Sequence, residues 1–573
     1  MLERRLPAVA IALVVALTGL VPQFLSRTLP DIAFLLYAAE RVLDGARLYV
    51  DVIEINPPLI VWLNVPIVAV ARLLGASEVL LYRVAVVALL VGAVLASRWV
   101  ITRTREGQAA TARRLAVLMI VFILFVLPRL DWGEREHLTL ALALPYVLLA
   151  VVRLQSHAVP RAAAAGIGIA AAIGIAIKPQ FVLLWIAREL LVAARARRPS
   201  LEGMVVVVCG AVYLLVAAIV TPEYFTLVRE LGPAYQVYLH NTLAITALLG
   251  DGAALAIGSV LVAVGLWRRS TAPEPRVTLV VAIAACYVAA VIQQKGWRYH
   301  FYPALALGWV LLGVVALSTL GPISRWTERL FHAIARAAVA TVALAAVVAS
   351  IVQAMRPLDP RYDADPSIGA LISTLEPHVR GRPLMVLSSN MASGFPLTTY
   401  TGAVWPQRFS NLWPLVAAYD SALDANGPFR YRAPEAMTPL ERRLLVTVSE
   451  DFRRADPPIV AVLHPGPDHV KWGMRRLDLL EFLKRDSSFA QRFANYDSVG
   501  VVGQYQIYER AGLGGLERPL PAPREAIAGG RAPNELAIEP QSLLLGTVFL
   551  ALLALSYRAT PTVSAVRMAR DAA

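Results

Sequence analysis

Two short acidic runs hold the residue types able to do chemistry. The first lies within residues 26–78 and carries Asp31, Glu40, Asp44, Asp51 and Glu54. The second is the run PRLDWGEREH, which places Asp131, Glu134 and Glu136 within six residues, next to Arg135 and His137. Carboxylates at the edge of an apolar body can act as general bases or metal ligands, because burial and like-charged neighbours raise their proton affinity. Complementary cations stand in two other runs: Lys178 in IAIKPQF, and Lys295, Arg298 and His300 in QQKGWRYHFYP. Fixed Lys and Arg groups suit a phosphate. Tyr299 of the last run, with Trp132, Tyr235, Tyr238, Trp297 and Tyr302, adds rings of the kind that stack on sugars or mark a membrane interface. Whether these runs share one site depends on the elements that carry them.

Those elements are read from composition. The chain has 573 residues, 57% hydrophobic and 16% charged, against about 25% charged in soluble domains. Apolar stretches recur near 6–25, 57–74, 79–97, 114–128, 137–152, 162–177, 179–194, 203–220, 252–267, 277–293, 301–319, 333–352 and 541–557. Stretches of this length belong in a bilayer. The formal net charge of +14 comes from 54 basic and 40 acidic residues. Most of the excess is arginine in short loops, where positive charge holds loops on the cytoplasmic side, so nucleic acid is excluded as a partner. The two cysteines, Cys209 and Cys286, lie inside apolar runs and form neither a disulfide framework nor a zinc spacing. The first stretch has no small-x-small cleavage site and reads as an uncleaved span.

Orientation turns on 57–74. If it spans, the arginine clusters at 98–114, 195–198 and 268–276 all face outward, against the positive-inside rule. If it lies along the outer surface, as Pro57, Pro58 and Pro66 suggest, all of them fall inside. The expectation is therefore a polytopic α-helical membrane protein of about twelve spans, both termini cytoplasmic and both acidic runs on the outer face. Residues 1–352 form the membrane module. Residues 353–540 form a smaller outer α/β domain, with strand-like runs PLMVLSS, PIVAVLH and VGVVGQYQIYE and helical stretches at 435–454 and 473–486. Residues 541–573 form the last span and a basic tail.

The stretch PDIAFLLYAAERVLDGARLYVDVIEINPPLIVWL resembles the first outer loop of GT-C superfamily glycosyltransferases, most closely the bacterial members related to protein O-mannosyltransferases and lipid A aminoarabinose transferases. In that pattern an acid follows the first span, and a tyrosine, an aspartate and a Pro-Pro pair follow later. Here these are Asp31, Tyr49, Asp51 and Pro57-Pro58. Two positions depart from the pattern. A single acid stands at Asp31-Ile32 where many members have a pair, and Asn56 stands where mannosyltransferases have histidine.

The resemblance implies a GT-C-like fold in a bacterial inner membrane, with the active site on the periplasmic side. It implies a polyprenyl-phosphate sugar donor and a glycan, lipid or protein acceptor. Asp31 is then the expected base, in an inverting transfer, with Asp131, Glu134 and Glu136 orienting sugar hydroxyls, serving as a second acid/base or holding a divalent cation. Asp51, Glu54, Arg135, His137, Lys178, Lys295, Arg298, Tyr299 and His300 are the expected substrate contacts. A transporter or flippase for a glycolipid or small anion, and a non-catalytic scaffold, are the competing classes. Twelve spans fit a transporter, but charge concentrated at one face and the lack of related halves favour the enzyme, and insensitivity of both acidic loops to mutation would favour the scaffold.

Overall fold

The computed structural model describes residues 6–249, 273–318, 366–420, 429–464 and 476–516, with a few short pieces between them. The spans expected at 252–267 and 541–557, and most of that at 333–352, lie outside the described residues. Each of the other apolar stretches is helical. The first helices are α1 (Leu6–Leu25), α2 (Pro30–Leu43), α3 (Leu59–Leu74), α4 (Glu78–Ile101) and α5 (Ala110–Val121). They are followed by α6 (Arg135–Leu154), α7 (Arg161–Ile177), α8 (Val182–Ala196), α9 (Leu201–Val220) and α10 (Glu223–Val237). Among the described residues, helices Leu243–Leu249, Pro273–Val291 and Arg298–Ser318 come next. Among the described residues, α4, α6, α9 and Pro273–Val291 are each long and apolar enough to cross a membrane, and α1 and α2 form a pair bent by 66°.

The segment 26–78, read as one long outer loop, contains two helices. Pro30 opens α2 at a position where its missing N–H costs nothing, Asp31 occupies the first turn, and Gly45 at φ +88° turns the chain away after Asp44. Helix α3 ends on Gly75 in the left-handed conformation, and Arg72 in its last turn pairs with Glu40 (3.1 Å) and Asp44 of the α2 end.

Helix α6 is the central element: 83% of its most apolar stretch is buried, against 17% for α9. Its first turn buries Arg135, Glu136 and His137. The element before it explains how such a turn is held. Helix α5 passes into a π turn at Phe122–Val126 and then meets Pro128. The π register sends Leu127 N to the Phe122 carbonyl (3.1 Å) and Pro128 has no N–H, so the carbonyls of Ile123 and Leu124 lose the donors a continuing α-helix would bring. Side chains replace them: Tyr302 Oη donates to the Ile123 carbonyl (2.5 Å), and His137 Nε2 lies 2.9 Å from that of Leu124.

Residues 366–516 include a four-stranded sheet. Two two-residue strands, β1 (Tyr362–Asp363) and β6 (Ile527–Ala528), pair with each other outside it. In the sheet, β2 (Leu384–Leu387) is parallel to β3 (Ile459–Leu463), β3 is antiparallel to β5 (Tyr505–Arg510), and β5 is antiparallel to β4 (Tyr496–Val502). The run VGVVGQYQIYE is therefore a hairpin and not one strand, turned by Gly503 at φ +59°. Helix Pro439–Ala455 starts on a capping box between Thr438 and Glu441.

This α/β unit rests on the α2 end of the helical body. Ile53 N donates to the Arg408 carbonyl (2.8 Å), Thr28 N donates to Tyr400 Oη (2.8 Å), and Phe395 packs 5.1 Å from Phe34 and 5.0 Å from Tyr37. Trp413 stands against Tyr235 and Tyr238 of the α10 end.

Tyr302→Phe keeps the ring and removes the donor to Ile123. Leaving a buried carbonyl without its partner costs about 1–3 kcal/mol, so the thermal midpoint of the purified protein should fall. An unchanged midpoint would mean that the π turn does not depend on this bond.

Candidate active site

The two acidic runs meet. Arg135, in the first turn of α6, donates to Asp31 in the first turn of α2 (3.1 Å). The next residue, Glu136, is fully buried and lies 2.9 Å from Lys178 Nζ at the end of α7. His300 Nε2 stands 3.6 Å from the same Glu136 oxygen. These contacts join α2, α6, the α7–α8 turn and helix Arg298–Ser318 at one point. Asp31 is the more open member: its side chain is 26% exposed, against 6% for Arg135.

Two further carboxyls face this cluster. Glu134 stands at the residue before α6, makes no side-chain capping bond to it, and is buried. Burial, aided by the charges of Asp31, Glu136 and Asp131, pushes its proton affinity well above the usual carboxylate range, against the pull of Arg135. Glu54 is also raised by burial, with Arg135 and the Asn56 hydrogen bonds opposing. Its Oε1 accepts from Asn56 N (2.7 Å) and from the Asn56 side chain. Asn56, which departs from the mannosyltransferase pattern, thus serves here to orient Glu54. Glu134, biased by burial towards its protonated form, stands beside the Asp31–Arg135 pair.

Several buried hydrogen-bonding atoms at this end have no partner among the described residues. They include Glu136 Oε2, Arg135 Nε and Nη1, Gln180 Oε1, the indole nitrogens of Trp132 and Trp297, and both ring nitrogens of His300. Native interiors leave few such atoms, because each costs about 1–3 kcal/mol. A group of them around one cluster marks a place made for a polar occupant or ordered water. No three His, Cys, Asp or Glu side chains among the described residues converge as metal ligands, so no step is routed here through a metal.

The other expected residues make these contacts within the protein. His137 Nδ1 accepts from Gly133 N (2.9 Å), which leaves Nε2–H to donate to Leu124; the ring is neutral and both nitrogens are used. Asp131 and Arg298 form a two-point pair (3.0 and 2.9 Å) that ties the second acidic run to helix Arg298–Ser318. Lys295 caps the end of α10, donating to the carbonyls of Tyr235 (2.6 Å) and Tyr238, and burial pushes its ammonium down to about 8. Asp51 is an exposed turn residue accepting from Arg47 N (2.8 Å). Tyr299 is within cation–π range of Lys178 (5.8 Å).

Sequence reading passed over Tyr82 and Gln180. Tyr82 Oη donates to the Gly133 carbonyl (2.5 Å) from within an apolar helix, and its one signal was the single tyrosine in that apolar run. Gln180 stood beside Lys178 in IAIKPQF and gave no spacing cue.

No family model matches the chain, and neither does any curated protein. Among solved structures, ArnT from Cupriavidus metallidurans bound to undecaprenyl phosphate superposes with a TM-score of 0.52 at 14% identity, covering 90% of this chain and 99% of that one. The same protein in the apo state gives 0.50 at 14% identity, over 88% and 97%. The arabinofuranosyltransferase AftD from Mycobacteria gives 0.41 at 18% identity, over 87% of this chain and 40% of that one. The two ArnT superpositions show a shared fold, the one expected from the resemblance to lipid A aminoarabinose transferases.

Gly133 has φ +85°, and a Cβ there would lie 3.2 Å from Ile32 Cδ1 and from Tyr82 Cε1. Gly133→Ala should cost about 1–2 kcal/mol through the left-handed backbone alone. It should lower the thermal midpoint and displace the Glu134–Arg135 turn. A variant as stable as the parent would show that this turn is not held as described.

Proposed function

We propose that this protein is a membrane glycosyltransferase that moves a sugar from a polyprenyl-phosphate donor to a glycan, lipid or protein acceptor of the cell envelope. The carrying observation is the enclosed cluster Asp31–Arg135, Glu134 and Glu136–Lys178–His300. It combines unpartnered hydrogen-bonding atoms with the fold of a protein solved with undecaprenyl phosphate. The reading places the chain in a bacterial inner membrane with about twelve spans, both termini cytoplasmic and the cluster at the periplasmic face. Helix α3 then lies along the membrane surface, and the α/β unit docked on α2 and α10 helps position the acceptor.

In this mechanism Arg135 Nε and Nη1, with Lys178, hold the donor phosphate. Asp31, the most open acid, takes the proton of the acceptor hydroxyl as that oxygen attacks the anomeric carbon. The bond from that carbon to the phosphate oxygen breaks, and its electron pair leaves with the lipid phosphate. Cations already fixed by Asp31 and Glu136 stabilise the growing charge without reorganisation. A single displacement without a covalent intermediate inverts the anomeric centre. Glu134, held protonated, donates to a sugar hydroxyl or to the departing phosphate. His300 occupies the remaining wall. Lys295, Asp131, Arg298 and His137 support the site from outside it.

Asp31→Asn should reduce transfer from a labelled polyprenyl-phosphate sugar by about 10²-fold or more, in the range of a lost general base. Near-parental transfer would remove Asp31 from that role. Arg135→Lys keeps the charge and loses the planar fork, so it should raise the donor KM about tenfold and leave the acceptor KM within about twofold. Equal loss for both substrates would argue against a phosphate contact.

A further inference from the structure

A second set of buried charges lies at the other end of α6. Arg153 is eighteen residues past Arg135, or about 27 Å along the helix at 1.5 Å per residue. It donates to both oxygens of Glu202 (3.1 and 2.8 Å). Arg188, buried on α8, donates to Glu202 Oε1 (2.7 Å) and to Ser200 Oγ (2.8 Å). Glu189 Oε1 accepts from Tyr146 Oη (2.6 Å) and Ser200 Oγ (3.0 Å) and meets the Arg188 guanidinium, while Oε2 accepts from Ser200 N (3.2 Å). Two arginines thus balance two glutamates, and each carboxylate is saturated.

This network pins α8 to the start of α9. Gly203 admits the contact, since a Cβ there would lie 2.2 Å from Glu189 Cδ, and Trp185 Nε1 donates to the Gly203 carbonyl (3.2 Å). Beside the pinned ends runs a groove of about 220 Å³ lined by Trp185, Ile186, Leu190, Ala193, Met204 and Val207. Glu189, the one carboxylate at its wall among the described residues, is neutralised by the bonds above. Where α8 ends, Arg195, Arg197 and Arg198 are all exposed, and Arg197 N closes the helix on the Ala193 carbonyl (2.7 Å) at the groove's edge.

We propose that this groove holds an acyl chain of an anionic phospholipid of the inner leaflet, with the lipid phosphate held by Arg195, Arg197 and Arg198. The assignment to the inner leaflet rests on reading the carboxylate end as the periplasmic face. The lining offers an alkyl chain an apolar surface and offers a polar ligand almost nothing. Charge complementarity selects the headgroup: three arginines face the lipid phosphate, and no unbalanced acid of the groove opposes it. A zwitterionic choline lipid carries its own cation outward and gains less from the same arginines.

The test uses the full chain in phosphatidylcholine bilayer discs, with lipid carrying bromine on its acyl chain to quench Trp185. The Trp185 signal is the difference between the parent and Trp185→Phe. Brominated phosphatidylglycerol should quench that signal about fivefold more strongly than brominated phosphatidylcholine at equal mole fraction. Replacing the three arginines with glutamine should bring the ratio to about one, and high salt should do the same for the unaltered protein. Equal quenching by both lipids, no quenching by either, or a preference that survives the triple substitution would overturn the proposal. None of these readings depends on sugar transfer, so they stand apart from the proposed reaction.

Discussion

Two adjacent residues at the start of the most buried helix carry opposite charges, and each needs a partner from another part of the chain. Arg135 takes Asp31 from α2, and Glu136 takes Lys178 from the α7–α8 turn. Removing one member of a buried pair costs about 3–5 kcal/mol, so these contacts fix where α2 and the α7–α8 turn must sit relative to α6. The site is therefore a consequence of how the helical body satisfies its own buried charge. Its cations are held in place by the protein's own carboxylates.

The surroundings of that turn are organised to keep it still. Pro128 ends α5 and leaves carbonyls that His137 and Tyr302 satisfy, and Gly133 lets Tyr82 and Ile32 close on the loop. Asp131 and Arg298 fasten the same loop to helix Arg298–Ser318. On the far side of the cluster, Lys295 holds the end of α10 by its carbonyls, and Trp413 of the α/β unit packs on the two tyrosines there. Several residues expected at the substrate, among them Asp131, His137, Lys295 and Arg298, are thus bonded to other parts of the protein.

How much of this was legible in the sequence follows from the range of the interactions. Apolar stretches are local signals, and helices stand at those that fall within the described residues. The convergence of Asp31 with the 131–137 run was also readable, because both runs fell at one membrane face once the arginines were assigned to the other. Partner choice was not readable. Lys178 and Lys295 look alike as isolated outward lysines, and only the fold sends one to Glu136 and the other to the α10 carbonyls. The hairpin at Gly503 was hidden because VGVVGQYQIYE is continuously strand-like, and nothing in the spacing of Arg188, Glu189 and Glu202 announces that they pair.

A structure of the protein with a non-transferable polyprenyl-phosphate sugar analogue would test the central claim most directly. The expected density has the phosphate within hydrogen-bond reach of Arg135 and Lys178, with the anomeric carbon on the side of Asp31. A phosphate bound elsewhere, or a sugar walled off from Asp31 by the closed Arg135 pair, would contradict it.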